Sequence, residues 1–441
     1  MLQGAAVAFA AQMLAMVSAF ATQVVLARLL SPEGLGIYFL TQSLVIMASN
    51  VGELGLPRPI ARLISTDVGS GRVGGAMRTL RSIVLIGGIS GLVVVGAFAS
   101  GVGEWLALHV VDSPTMAASM GIVAVWLAGK IVLDLAAAVL QGMHRVGLAA
   151  IFSGAIVPTA VAACCGAILW MGHSIGYPDA IWIASAATVA AGLLGVLLVW
   201  LPFAGVAGEG PKRTRALLSS TLPIFAAGML QVAAVQADLW IVGAQLSPSE
   251  VALYGAAKRL TVLVGFPVAI LGFVVPPLIA DLYARGERER LQRLVRAATT
   301  VASLPAAAAF LLFMFFGEFV LSLAYGEIYA EASTVLRILI TDKLFFLTLG
   351  PASLTLVMTG NERVVFRITM VSATLSLLAM YLGGRTFGLN GVAVAYAVTN
   401  SATGLWYLFE ARRHTSTWVH LNPLAVRPIV EVVQRAIRRL G

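Results

Sequence analysis

The chain has 441 residues, 59% of them hydrophobic and 11% charged, and its mean hydropathy of +0.93 excludes a soluble domain, since such domains carry about 25% charged residues. A net charge of +9 would point to nucleic acid in a soluble protein; in a membrane protein it faces anionic lipid headgroups, so no nucleic-acid partner is expected. Cys164 and Cys165 adjoin each other inside an apolar run, which gives neither a disulfide framework nor metal-ligand spacing, and no metal or cofactor is expected.

A span needs about 20 mostly apolar residues to cross roughly 30 Å of hydrocarbon, and long unbroken apolar runs indicate helices rather than the alternating strands of a barrel. The first run, from the amino terminus to about residue 28, lacks a basic leader and is too long for a signal core, so it reads as a span. In chain order the spans fall near 5–28, 35–56, 82–105, 116–140, 148–171, 180–203, 220–246, 250–280, 297–317, 331–358, 364–384 and 390–410. With this division most of the 29 Lys and Arg collect on one side, including Arg58, Arg62, Arg72, Arg145, Lys212, Arg288, Arg296, Arg363 and Arg412, against Arg28 and Arg385 on the other. The positive-inside rule then places both termini in the cytoplasm. In the last segment, Ile429, Val432, Val433, Ala436, Ile437 and Leu440 share one helical face and Arg435, Arg438 and Arg439 another, which predicts a basic amphipathic tail on the membrane surface.

LSPEGLGIY at 30–38 returns as LSPSEVALY at 246–254, 216 residues later, and QGMHRV at 141–146 is echoed by TGNERV at 359–364 at an offset of 218. Both pairs fall at equivalent loops of a six-plus-six topology, which reads as duplication. An all-α polytopic protein follows, with about twelve transmembrane helices in two pseudosymmetric six-helix lobes around a central cavity. The expected division is 1–210, 211–410 and a tail at 411–441.

Charges inside hydrocarbon cost roughly 2.5–3.5 kcal/mol each on insertion scales and usually face a cavity or a partner. Here they are Glu53, Lys130, Asp134, Asp238, Lys258, Arg259, Arg337, Asp342 and Lys343. Asp238 and Lys258 stand ten residues either side of Pro248, so an antiparallel hairpin brings them to similar depth; Thr22 and Gln42 take the corresponding places around Pro32. Lys258 and Arg259 are candidates either for a cavity wall or for snorkelling to an interface. Lys130 and Asp134, four apart on one helix, neutralise each other, with proton coupling at Asp134 as the alternative. Asp342 and Lys343 point about 100° apart and cannot both face the way Arg337 does. Arg337 and Lys343 are cavity candidates, Asp342 a pairing or coupling acid, and Glu53 a local salt-bridge partner of Arg58. Pro267, Pro276 and Pro277 allow a kink or hinge.

LARLLSPEGLGIYFLTQSLV with GELGLPRPIAR, then ADLWIVGAQLSPSEVALYGAAKRLTVLVGFPVAILGFVVPPLIADL and FGLNGVAVAYAVTN, resemble the polysaccharide transporter branch of the multidrug/oligosaccharidyl-lipid/polysaccharide exporter superfamily over essentially the whole chain. The resemblance implies a bacterial inner-membrane flippase that works by alternating access on an undecaprenyl-diphosphate-linked oligosaccharide. It also implies diphosphate contact at Arg259 and Arg28, which resemble residues that meet the diphosphate in lipid II flippases; those relatives usually have fourteen spans. Lys258 is then left to pair with Asp238. Expected partners are the polyprenyl-diphosphate-linked glycan and membrane lipids, with a glycan polymerase or glycosyltransferases as further candidates. The alternative within the superfamily is a cation-coupled multidrug exporter, for which acids should line the cavity. An enzyme is disfavoured, because the outer loops are short and His109 and His173 lack partners in any catalytic constellation.

Overall fold

The computed structural model describes residues 2–203 and 214–423, with side chains except at 2–9, 214–220, 222–224, 227 and 267–274. The expected lobe boundary at 210–211 and the tail from 424 onward lie outside the described residues. No strand occurs among the described residues.

The helices are α1 (Leu2–Leu29), α2 (Pro32–Glu53), α3 (Pro57–Gly69), α4 (Val73–Ala97), α5 (Gly103–His109), α6 (Pro114–Ala118), α7 (Met120–Gly142), α8 (Val146–Ala150), α9 (Ile156–Trp170), α10 (Tyr177–Trp200), α11 (Thr214–Gln245), α12 (Pro248–Ala284), α13 (Arg288–Tyr325), α14 (Ser333–Thr348), α15 (Ala352–Met358) and α16 (Glu362–Thr415). Single π turns at Phe98–Val102 and Ile151–Ala155 join α4 to α5 and α8 to α9. Eight described segments are long and apolar enough to span. One of them, α16, is two spans merged across Gly388, whose φ of 60° and ψ of −142° break the helix. With α11, α12 and the broken pair α14 and α15, the described residues provide twelve spans.

The duplication is written in the turns. Ser31 caps α2 by accepting from the Gly34 amide, and Ser247 caps α12 in a reciprocal box with Glu250; Pro follows each as first helical residue, where its missing N–H costs nothing. At the second echo, the amides of Met143, His144 and Arg145 bond the carbonyls of Val139, Gln141 and Leu140, and those of Thr359, Gly360 and Asn361 bond Thr355, Val357 and Leu356. These pairs match at an offset of 216, not the 218 suggested by the shared Gly-x-x-Arg-Val letters. Backbone hydrogen bonding sets the equivalence, and His144 (φ 59°) and Gly360 (φ 80°) fill the same left-handed position. Gly172 (φ 73°) and Gly388 (φ 60°) continue the register, so the loop between α9 and α10 corresponds to the kink within α16.

The repeats differ where one helix breaks and the other does not. In the first, Leu54 and Gly55 adopt φ of 48° and 70°, so the span expected at 35–56 ends at Glu53 and amphipathic α3 follows, burying Pro59, Ile60, Ile64 and Asp67. In the second, α12 runs on through Pro267, Pro276 and Pro277. Conversely α7 is continuous, whereas Gly350 at φ 78° separates α14 from α15.

By packing, the chain forms two compact units, Met1–Ala252 and Leu253–Gly441. Lipid tails are as apolar as Leu, so helices associate through close packing and hydrogen bonds. In the first unit Gly192 lies against the Gly129 carbonyl oxygen and Gly195 against Ala136 and Phe152, which draws α10 onto α7. α11 lies on α2: Gly243 fits against Leu40, and Trp240 Nε1 donates to Ser43 Oγ at 2.7 Å. Gly36 abuts the Pro248 carbonyl and the Ala252 amide, so the two Leu-Ser-Pro helix starts touch at equivalent positions, 36 and 252. In the second unit, residues 416–423 fold back as a strap. Leu421 donates its amide to Thr348 O, Thr299 donates to Val419 O, Arg296 Nε donates to His420 O, and Thr300 exchanges bonds with Asn422.

Candidate functional site

In the first unit, α2 and α7 bring Glu53, Lys130 and Asp134 together. Lys130 and Asp134 form an ion pair one turn apart, and the Glu53 carboxyl lies within electrostatic reach of both. Glu53 is 7% exposed, and its Oε1 has no hydrogen-bond partner among the described residues. This corrects the expected salt bridge to Arg58. The left-handed residues Leu54 and Gly55 turn the chain after α2, which puts Arg58 on the exposed face of α3 and leaves Glu53 against α7. The surroundings are dense: Ser90 Oγ donates to Gly52 O at 2.6 Å, and a Cβ on Gly52 would stand 2.5 Å from Ile131 Cδ1. Thr22 binds the carbonyls of Ser18 and Pro158. Asp238 on α11 is fully buried, and its Oδ1 accepts from the Leu239 amide. Arg28 is exposed near the end of α1.

In the second unit, Asp342 and Lys343 diverge as adjacent helix positions must. Asp342, 4% exposed, accepts from Asn400 Nδ2 at 2.8 Å and Ser401 Oγ at 2.7 Å on α16. Lys343 instead lies over α12, where a Cβ on Gly265 would stand 2.5 Å from its Cε, and its charge interacts with Lys258. Arg259 Nη1 donates to Gly255 O at 3.1 Å, and its charge acts on the buried Tyr325 hydroxyl of α13. Arg337 is exposed on α14. The second unit thus gathers Lys258, Arg259 and Lys343 around α12, while its intramembrane acid is engaged elsewhere. Asn400 and Ser401 were not anticipated as partners; the three adjacent polar residues Thr399, Asn400 and Ser401 within the otherwise apolar span at 390–410 were the available signal.

The sequence pattern of a family described as polysaccharide biosynthesis protein matches residues 1–283. The chain belongs to this family. The pattern described as MatE also matches, over residues 223–382. A probable low-salt glycan biosynthesis flippase, Agl15 of Haloferax volcanii, is 24% identical over 162 residues, which are 37% of this chain and 34% of that one; the match thus spans about a third of the relative. Among solved structures, an inward-facing multidrug resistance MATE family transporter of the MOP superfamily superposes with a TM-score of 0.78 at 16% identity, covering 93% of this chain and 98% of that one. The lipid II flippase MurJ, in an inward closed conformation, gives 0.73 at 12% identity, covering 93% and 88%. The family member described here shares the fold of both, a multi-pass helical membrane protein.

Proposed function

We propose that the protein flips a polyprenyl-diphosphate-linked oligosaccharide from the cytoplasmic to the outer leaflet of a bacterial inner membrane by alternating access, without catalysis, in polysaccharide biosynthesis. The observation that carries this reading is the set of cations on α12 and α14. Lys258 and Arg259 stand side by side on α12 and Lys343 on α14 lies within the field of Lys258, while Asp342 accepts from Asn400 and Ser401. A diphosphate repays the cost of holding such charges, because charge-assisted hydrogen bonds from guanidinium and ammonium groups to phosphate are among the strongest available. Arg28 and Arg337, both exposed within their units, are the further candidates for the headgroup path. The family match and the relation to a probable glycan biosynthesis flippase support the substrate class. Basic loops on one side support cytoplasmic termini. A cation-coupled multidrug exporter is the second reading, favoured by the MatE match over residues 223–382.

The test is reconstitution into liposomes with a fluorescent undecaprenyl-diphosphate oligosaccharide, following its movement between leaflets. Wild type should move it and Arg259→Ala should slow it. Export of a cationic dye under a proton gradient, with the lipid left in place, would favour the exporter instead.

A further inference from the structure

We infer that Asp342, held by Asn400 and Ser401, is a positioning residue that turns Lys343 onto the Lys258 face of α12, where the two ammonium groups receive the diphosphate together. The inference deepens the flippase reading and rests on it for the cargo, while the positioning is argued from the second unit alone.

A helix docked through one hydrogen bond can still swivel about it. Asp342 uses both carboxylate oxygens, Oδ2 accepting from Asn400 Nδ2 at 2.8 Å and Oδ1 from Ser401 Oγ at 2.7 Å. The two donors are adjacent on α16 and point about 100° apart, so the carboxylate is gripped from two directions and the rotation of α14 is fixed. With Asp342 committed to α16, Lys343 leaves α14 about 100° away, over α12. A Cβ on Gly265 would stand 2.5 Å from its Cε and 3.2 Å from its Nζ. Glycine at 265 therefore lets the ammonium settle against the helix, and any larger residue would displace it.

Gly265 follows Lys258 by seven residues, so the two share one stripe of α12, about 10 Å apart along its axis. Lys343 and Lys258 thus address the same strip from two helices, and Lys343 lies within the field of Lys258. Arg259, about 100° round from Lys258, donates to Gly255 O instead. Two like charges on one strip repel, and an anion between them replaces that repulsion with attraction on both sides. A diphosphate fits the pair, because each phosphate can take one ammonium.

The role of Asp342 is geometric, and its charge works against it. A carboxylate beside the site weakens the field that draws an anion in, so removing the charge while keeping the grip should help binding. The amide introduced by Asp342→Asn does this, since it accepts and donates at once and both the Ser401 hydroxyl and the Asn400 carboxamide can take either role. Asp342→Leu removes the same charge and the grip with it.

The test uses the full-length protein in lipid nanodiscs with its lysines dimethylated by carbon-13 formaldehyde, which keeps their charge. Besides the amino terminus, only Lys130, Lys212, Lys258 and Lys343 carry amines, so each methyl resonance is assigned by replacing one lysine at a time with arginine. Inorganic pyrophosphate should shift the Lys258 and Lys343 signals along one shared saturation curve. Asp342→Leu should move the Lys343 signal before pyrophosphate is added and weaken the affinity by about tenfold or more, the size of one charged hydrogen bond. Asp342→Asn should leave that signal near its place and bind at least as tightly as wild type. Gly265→Ala, which leaves Asp342 and its partners untouched, should move the signal and weaken binding likewise, which covers the case in which Asp342→Leu does not fold. In proteoliposomes, Asp342→Leu should raise the concentration of fluorescent polyprenyl-diphosphate oligosaccharide that half-saturates flipping, and Asp342→Asn should not. Equal effects of the two Asp342 substitutions, a Lys343 signal unmoved by Gly265→Ala, or no response of Lys258 and Lys343 to pyrophosphate would each overturn the inference. A wild type that answers pyrophosphate but moves no lipid-linked glycan refutes the flippase reading and leaves the positioning to its spectra.

Discussion

Replacing Gly36 with alanine should pry apart the contact between the two Leu-Ser-Pro helix starts. A Cβ at Gly36 would overlap the Pro248 carbonyl oxygen and stand 2.7 Å from its carbon, 0.7 Å inside the 3.4 Å at which ordinary contact begins, and it would also lie 3.2 Å from the Ala252 nitrogen. These are backbone atoms capped by Ser247 and Glu250, so no flexible side chain can absorb the methyl and the helices must separate. Overpacking of this kind costs about 1–3 kcal/mol. Separation also stretches the Trp240 to Ser43 hydrogen bond on the neighbouring α2–α11 contact, worth about 0.5–1.5 kcal/mol. The combined loss is about 1.5–4.5 kcal/mol, read as a lowered midpoint in thermal unfolding of the purified protein followed by tryptophan fluorescence. Gly228→Ala on α11 is the control: nothing lies within 4 Å of its added Cβ, so it should be neutral or stabilising by up to about 1 kcal/mol. Equal stability of Gly36→Ala and wild type would refute the close packing of these helix starts.

Lys130→Met should destabilise toward the lower end of the roughly 3–5 kcal/mol expected for breaking a buried pair, since the two side chains keep 27% and 18% exposure. Adding Asp134→Leu should recover most of that loss, as a double-mutant cycle in chemical denaturation would show. Gly350→Ala should be more damaging than Gly36→Ala, because φ is 78° and the new Cβ would stand 2.8 Å from the Val419 carbonyl carbon and 3.1 Å from Thr299 Oγ1; thermal unfolding ranks the two. His420, in the strap and outside the spans, is held below its usual value of 6.5 by burial first and by Arg296 second. Folding therefore favours its neutral form, and the strap should weaken as pH falls through about 6.5, where the unfolded chain takes up the proton first. Hydrogen exchange of the Leu421 amide, bonded to Thr348 O, should speed up between pH 7.5 and 5.5 beyond the intrinsic pH effect, and Arg296→Ala should shrink that response.

Composition and local pattern by themselves determined the solvent this chain folds in, its helical spans and their doubling. Ser31 with Pro32 and Ser247 with Pro248 start helices through contacts within four residues, so short-range letters suffice to place them. The pairing of Lys130 with Asp134 was legible for the same reason, since helical geometry brings residues four apart onto one face. The equivalence at 216 was only half legible, because shared side-chain letters at 142–146 and 360–364 do not reveal which backbone amides close the turns. Tertiary structure alone decided what Glu53 meets, because the choice between Arg58 and Asp134 depends on a left-handed turn at Leu54 and Gly55 and on the helix α7 packed beside it. It likewise sent Asp342 to Asn400 and Ser401 and Lys343 to the face of α12 bearing Gly265, and it folded residues 416–423 back over the break at Gly350. Those outcomes depend on contacts between residues far apart in the chain, where a local period says which face a side chain occupies but not which helix lies opposite.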